Sequence, residues 1–201
     1  MIGVRASSVS AGTVPDHANS RRQNRRTRDT RPMGTWRAWL RTVTQGPDDG
    51  RQRRTLFVPP DDVPRDRLLT LHRAVVEVLR TSDESPDLRA WIDCISDEPW
   101  PDHVHDPLRH LCGPGGSPVA VDVDLADPAD RNAFLALSPY TIGAEVWSGL
   151  TALVFGAADT GTGTFANLTS AESDAVGAVL DAQQLGGLLL PLPDEGGDHS
   201  A

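Results

Sequence analysis

The stretch 140–169 constrains the fold more than any other part of this chain. Short runs rich in Val, Ile, Thr, Phe and Trp alternate there with breaks at Ser148-Gly149 and at Asp159–Thr164. This pattern is typical of antiparallel strands joined by tight turns. The run Leu150–Phe155 is the most continuously apolar one and predicts a central strand, covered on both faces. We therefore expect a meander of strands over about residues 140–169.

Four other segments predict helices. The first begins at Asp62 and carries a broad apolar stripe that includes His72, which we interpret as a core histidine rather than a catalytic one. The remaining three begin at Ser85-Pro86-Asp87, at Asp127-Pro128 and at a capping box formed by Thr169 and Glu172. Gly186-Gly187 is expected to end the last of them.

Three segments outside the meander predict strands: Thr55–Val58, Pro118–Leu125 and Leu188–Leu192. In the second of these, valines alternate with Asp122 and Asp124, so both carboxylates are expected on the side that faces solvent. Taken together, the segments predict an α+β fold with a mostly antiparallel five- or six-stranded sheet packed by three or four helices.

Charge divides the chain into a basic arm and an acidic body. Residues 1–54 carry 12 Arg against four Asp, a balance of +8, whereas residues 55–201 carry seven Arg against 24 Asp and Glu, a balance of −17. All 19 basic residues are arginine, which we attribute to the codon bias of a GC-rich, bacterial genome. Residues 1–32 contain few large apolar side chains and predict a disordered Arg-rich arm, which a start at Met33 would remove.

Residues 33–50 predict a short amphipathic helix followed by a linker. The spacing i, i+3, i+4, i+7 places four apolar side chains on one helical face: Trp36, Trp39, Leu40 and Val43. We expect this face to dock on the chain's own domain; a membrane surface or a partner protein is the alternative. Residues 51–193 are expected to form a single α+β domain, and 194–201 a disordered tail.

The chain has neither an apolar run of about 20 residues that could span a bilayer nor a secretory signal with an apolar core of roughly 7–15 residues. Its two cysteines, Cys94 and Cys112, are too few for a disulfide framework and are expected as small buried side chains. These features predict a cytoplasmic protein without a membrane partner.

The strongest candidates for metal ligation lie in and beside a long loop at 97–116, where one helical turn is expected from Asp106-Pro107. Imidazole and thiolate groups are the ligands that zinc prefers, and the loop supplies His103, His105, His110 and Cys112, with Cys94 close by in sequence. The spacing of these residues fits no zinc module, and the alternative is a surface loop that holds histidines. We therefore expect no cofactor, and a zinc-dependent hydrolase is the alternative function.

Asp122 and Asp124, with Asp127 and Asp130 after them, could hold Mg²⁺ or Ca²⁺. We favour a simpler interpretation, in which the first two are exposed strand residues and the last two begin a helix.

The string Asp159-Thr160-Gly161-Thr162-Gly163 resembles both the catalytic signature of aspartic proteases and the phosphate-binding hairpin of actin-like ATPases. Because the chain lacks the segments that either family needs downstream, we interpret the string as a hairpin loop.

These observations favour a non-catalytic acidic module that binds a basic protein, such as an inhibitor or an immunity/antitoxin-type protein. The expected contact residues are Asp97, Glu98, Asp102, Asp106, Asp122 and Asp124. Nucleic-acid binding through the Arg-rich arm is a further alternative, which the acidic body disfavours because it repels phosphate. The oligomeric state is not predicted.

Overall fold

The structure is a computed structural model, and it describes residues 54–113 and 118–192. Several expectations lie outside these ranges: the Arg-rich arm, the amphipathic segment with its linker, and the tail 194–201. Within the ranges, the chain forms four α-helices and seven strands joined into one antiparallel sheet. This confirms the predicted α+β class, with seven strands in place of five or six.

The sheet has the strand order β3-β2-β4-β5-β6-β1-β7. The strands are β1 (Thr55–Val58), β2 (Leu88–Ile92), β3 (Val121–Val123), β4 (Gly143–Ser148), β5 (Ala152–Ala158), β6 (Phe165–Leu168) and β7 (Leu190–Pro191). The helices are α1 (Arg65–Thr81), α2 (His105–Cys112), α3 (Pro128–Leu137) and α4 (Ser170–Ala182). A 3₁₀ turn at Asp102–Val104 leads directly into α2, and another at Asp159–Gly161 connects β5 to β6.

The expected meander is present as β4, β5 and β6, which pair antiparallel in sequence order. β5 lies at the centre of the sheet, as predicted, but it begins later than expected because Leu150 is 77% exposed in the turn after β4. The register shifts between Val146 and Trp147, where β4 pairs with β5. A bulge of this kind rotates the side chains that follow it, so Leu153 and Phe155 face opposite sides of the sheet.

The strand that was not expected is β2. It occupies a segment predicted as a helix beginning at Ser85-Pro86-Asp87. That prediction was wrong because two patterns overlap here: Leu88, Trp91 and Ile92 fit helical spacing, whereas Leu88, Ala90 and Ile92 fit strand alternation, and short apolar runs do not separate the two. The pairing decides the matter, since β2 lies between β3 and β4 and bonds to both. Ala90 and Ile92 face the core, whereas Arg89 and Trp91 lie on the opposite side.

Three boundaries also differ from expectation. β3 is shorter than Pro118–Leu125, since Ala120 has a positive φ of 51° and Val119 is 51% exposed. α1 follows Pro64, and Asp62 supplies no cap. α4 ends at Ala182, before the two glycines expected to stop it.

Two of the helix starts predicted from capping chemistry are confirmed, those of α3 and α4. Asp127 accepts a hydrogen bond from the backbone N–H of Ala129 at the start of α3. Thr169 and Glu172 form the reciprocal capping box of α4.

The core lies between one face of the sheet and the described helices. Its largest fully buried side chains come from α1, α3 and the central strands, and include Leu71, Leu79, Phe134, Leu137 and Phe155. Within the described ranges no helix is long and apolar enough to cross a membrane. The other face of the sheet carries a separate, smaller apolar cluster.

Candidate functional site

The acidic residues singled out from the sequence lie along one edge of the sheet, in the chain that leaves β2 and returns through β3. Residues 93–113 and 118–131, which we call the acidic edge, contain nine Asp and Glu against two Arg. β3 is the terminal strand of the sheet, and α2 and α3 pack together beside it. The edge therefore presents carboxylates from a loop, a strand and two helix N-termini.

One group of carboxylates is linked around α2 and the start of α3. Asp130 accepts hydrogen bonds from the backbone N–H of Asp124, at 3.2 Å, and pairs with His110 Nε2, at 2.7 Å. Asp106 lies one turn before His110 on α2 and pairs with the exposed side chain of Arg109. Asp124 also accepts a hydrogen bond from the backbone of Ala126. These contacts hold the loop between β3 and α3 against α2.

The other predicted contact residues are not part of that group. Glu98 pairs with Arg65 at the start of α1, at 2.7 Å, and Arg65 in turn lies over the ring of Tyr140. Asp97 and Asp102 are exposed in the segment between β2 and α2. Asp122 lies on the sheet face opposite the helices, directly across from Trp91. The structure thus spreads the six residues along the acidic edge rather than gathering them at one point.

In the described part of the chain, no three His, Cys, Asp or Glu side chains are arranged to hold an ion, and the histidines of the loop lie apart from one another. His103 lies edge-on to the ring of Tyr140, with ring centroids 5.8 Å apart, and His105 is exposed at the start of α2. His110 is paired with Asp130. The segment is also more helical than expected, because the predicted single turn is the eight-residue α2.

Cys112 is bonded to Cys94 in a disulfide, so the expectation of two separate buried thiols was wrong. A thiolate is needed to ligate zinc, and a disulfide sulfur does not provide one. The bond ties the C-terminal end of α2 to the segment that follows β2, across 18 positions of sequence. The sequence signal was weak, since two cysteines alone do not distinguish a disulfide from two free thiols.

An ion pair that the sequence did not predict joins the start of the described chain to the first turn of α4. Arg54 contacts Glu172 at 2.8 Å, and it also donates to the backbone carbonyls of Glu84 and Asn167. The Glu172 carboxylate further accepts from the hydroxyls of Ser82 and Ser85, at 2.9 and 2.6 Å. This cluster, the Arg54–Glu172 clamp, connects the start of β1, the α1–β2 loop and the first turn of α4.

Glu172 is 2% exposed, and its surroundings hold it in the charged state. Burial alone would raise the pKa of this carboxyl, but the Ser85 hydroxyl, the Thr169 N–H and the Arg54 charge together lower the pKa below its usual value. Removing either partner of a buried ion pair leaves the other charge uncompensated, so the fold depends on Arg54 and Glu172 together. We therefore assign the clamp a structural role.

His72 is a core residue, as predicted. It is completely buried, and burial lowers its pKa to about 3. Its Nε2 lies 3.1 Å from Thr164 Oγ1, and its Nδ1 lies 2.8 Å from Ser138 Oγ. Each hydroxyl also lies 3.1 Å from a backbone carbonyl that accepts from it, Leu135 for Ser138 and Gly161 for Thr164, so either ring nitrogen can carry the proton. The neutral imidazole is thus satisfied without a charged partner.

A cleft of about 600 Å³ opens between the end of β1, the start of α1 and the loop after β5. Its described lining contains Arg65 and Glu98, which pair with each other, and Thr160 and Thr162 from the hairpin loop. The lining contributes no His or Cys side chain. The loop itself confirms the hairpin interpretation of Asp159–Gly163, since it joins the antiparallel strands β5 and β6.

The comparisons with known proteins give no assignment: no family model, no curated protein and no solved structure matches this chain.

Proposed function

We propose that this protein is a non-catalytic binding module whose partner is a basic protein. The observation that carries the proposal is the charge of the acidic edge, which has nine carboxylates against two arginines along one edge of the sheet. Exposed carboxylates of one sign accelerate the approach of a cationic partner and disfavour anionic ones. Asp97, Asp102, Asp106 and Asp122 are all exposed and supply such contacts.

A rigid support is the second feature that favours this function. The Cys94–Cys112 disulfide, the His110–Asp130 pair and the contact between Asp130 and the Asp124 backbone hold the segments of the acidic edge against one another. A surface that is already ordered loses less conformational entropy when it binds. The size and charge of the domain suit an inhibitor or an immunity/antitoxin-type protein that covers a basic toxin.

The zinc-dependent hydrolase is the weaker alternative, because Cys112 is in a disulfide and the three histidines have separate surroundings.

The disulfide is also relevant to the cellular location of the protein. Disulfides persist mainly in oxidising compartments, so it speaks against the cytoplasmic location that we predicted from the sequence.

The test is capture of a basic partner from a lysate of the source cells, at low and at high salt. A fourfold variant neutralises one part of the acidic edge: Asp97→Asn, Glu98→Gln, Asp102→Asn and Asp106→Asn. A control variant changes the net charge by the same amount at exposed positions elsewhere: Asp83→Asn, Asp87→Asn, Asp174→Asn and Asp181→Asn.

We expect the first variant to slow association with the captured partner at least tenfold and to weaken its dependence on salt. The control is expected to have a much smaller effect, since its charges lie outside the acidic edge. Equal losses in both variants would show that only net charge matters, and the acidic edge would then not be the binding site. Unchanged capture in both would reject the proposed function.

A further inference from the structure

The two faces of the sheet are covered differently. Side chains of the described helices pack on one face, where they join the main core. The opposite face, which we call the open face, carries an apolar group drawn from neighbouring strands and from the end of the described chain: Leu56, Val58, Trp147, Leu153, Phe165 and Leu192. Trp91 stacks on Trp147 at its side, with ring centroids 5.5 Å apart.

The centre of the open face is buried. Leu153 is 1% exposed and Phe165 is 5% exposed, although no helix side chain of the described ranges belongs to this cluster. Phe165 lies across Gly156, where a Cβ would collide with its ring, so the sheet covers only one side of that ring. A side chain on an uncovered sheet face keeps part of its surface in water. The cover therefore comes from outside residues 54–113 and 118–192.

Composition leaves one segment that could supply this cover. Residues 114–117 read Pro-Gly-Gly-Ser, and residues 193–201 contain no large apolar side chain. Residues 1–34 contain only scattered aliphatic ones without helical spacing: Met1, Ile2, Val4, Val9, Val14 and Met33. In contrast, residues 35–43 carry Trp36, Trp39, Leu40 and Val43 on one helical face. These four side chains match the apolar character of the open face.

The segment can reach the open face. Residues 44–54 connect it to β1, and eleven residues extend at most about 36 Å. A seven-stranded sheet is roughly 29 Å wide between its outer strands, so any strand lies within that distance. The connection also arrives at a suitable place, because Leu56 lies on the open face one residue after β1 begins.

We propose that residues 35–43 dock on the open face as an amphipathic helix and bury Trp36, Trp39, Leu40 and Val43 against Leu153, Phe165 and Trp147. An isolated helix of this length is unstable in water, so its formation depends on the docking. The docked segment forms a second layer of the domain and makes residues 33–50 part of the fold. This inference is independent of the proposed function, since Leu153 and Phe165 lie on the sheet face rather than on the acidic edge.

The first test compares two single-cysteine positions in the full chain, in which Cys94 and Cys112 remain bonded to each other. Val43→Cys places a thiol on the apolar side of the segment, and Ala38→Cys places one on the opposite side. We expect maleimide to label Val43→Cys at least tenfold more slowly than Ala38→Cys in native buffer, and both at equal rates in urea. Equal rates in native buffer would overturn the proposal.

The second test asks what the segment covers. Leu40→Asp should undock it and increase hydroxyl-radical oxidation of Trp147 and Phe165 several-fold, whereas Ala38→Asp, on the other side of the helix, should not. If Leu40→Asp leaves oxidation of both residues unchanged, another occupant covers the open face and the proposal is wrong. An increase of oxidation on dilution of the wild-type protein would identify that occupant as a second copy of the chain, and would also overturn it.

Discussion

His72 shows how a titratable residue can belong entirely to the core. Its two ring nitrogens contact Ser138 and Thr164, and its ring lies edge-on to Phe155 at 5.1 Å. The pKa of about 3 in the folded state lies far below the usual value of about 6.5. Below pH 6.5 the unfolded chain therefore binds a proton that the folded chain does not, and stability falls as the pH decreases towards 3.

We expect this effect to be measurable between pH 7 and pH 5. Over that interval the free energy of unfolding should fall by about 2 kcal/mol more in the wild type than in His72→Gln. Urea unfolding at the two pH values measures the difference. His105→Gln, at an exposed position, serves as the control and should follow the wild type. If His72→Gln shows the same pH dependence as the wild type, His72 is not the residue responsible.

Glu172 has the opposite sign of charge and a different pH window. Its pKa is lowered on folding, so its contribution to stability is complete above about pH 4.3 and is lost as the pH falls through the folded value. Glu172→Gln leaves Arg54 without its carboxylate partner, and we expect it to lower the free energy of unfolding by roughly 3 kcal/mol at pH 7.

That deficit should shrink as the pH falls below about 4.3, because the carboxyl of the unfolded wild type then binds a proton that the folded chain does not. Chemical unfolding at pH 7 and at pH 3 measures it. The exposed pair of Asp106 and Arg109 provides a control, and Asp106→Asn should change stability by less than about 1 kcal/mol. A deficit that stays constant with pH would contradict the assigned role of Glu172.

At the scale of secondary structure, α2 depends on its covalent connection. It has eight residues and buries none of them fully, so its own packing provides little stability. The Cys94–Cys112 disulfide fixes its C-terminal end, and its His110 contacts Asp130 at the start of α3. The helix exists because neighbouring segments hold it.

We expect the double variant Cys94→Ser/Cys112→Ser to lose roughly 3 kcal/mol of stability, the amount typical of a loop of this length. Urea unfolding with and without reductant measures the loss. Reductant should bring the wild type to the level of the variant and should leave the variant unchanged. A wild type that is insensitive to reductant would contradict a disulfide in the folded protein.

The segment 88–92 shows why some elements could not be predicted locally. Its apolar residues satisfy both helical and strand spacing, and Ser85-Pro86-Asp87 before it can precede either element. The strand forms because β3 and β4 supply hydrogen bonds on both sides. By contrast, α3 and α4 were predicted at their first residues, because the groups that cap them are within three positions in sequence.

At the scale of the whole molecule, the first strand joins the last strands of the sheet. β1 pairs with β6 on one side and with β7 on the other, so the earliest described segment needs the latest ones. Arg54 and Glu172 reinforce this arrangement across 118 positions. Contacts between distant parts of a chain favour slow and cooperative folding.

We therefore expect a single unfolding transition, with coincident curves from far-ultraviolet circular dichroism and from tryptophan fluorescence. The sheet and helices dominate the first signal, whereas Trp91 and Trp147 on the open face contribute to the second. Two separate transitions would show that part of the domain unfolds alone. That result would contradict a sheet whose first and last strands depend on each other.

The sequence by itself determined what short-range chemistry decides. Turn residues at 159–163 and glycine after Ser148 predict the meander, and capping residues predict where α3 and α4 begin, because each interaction spans only a few positions. The tertiary structure alone decided the β2 strand, the Cys94–Cys112 bond and the Arg54–Glu172 clamp. Each of these joins segments that are distant in sequence, and one sequence contains no signal for which distant segments meet.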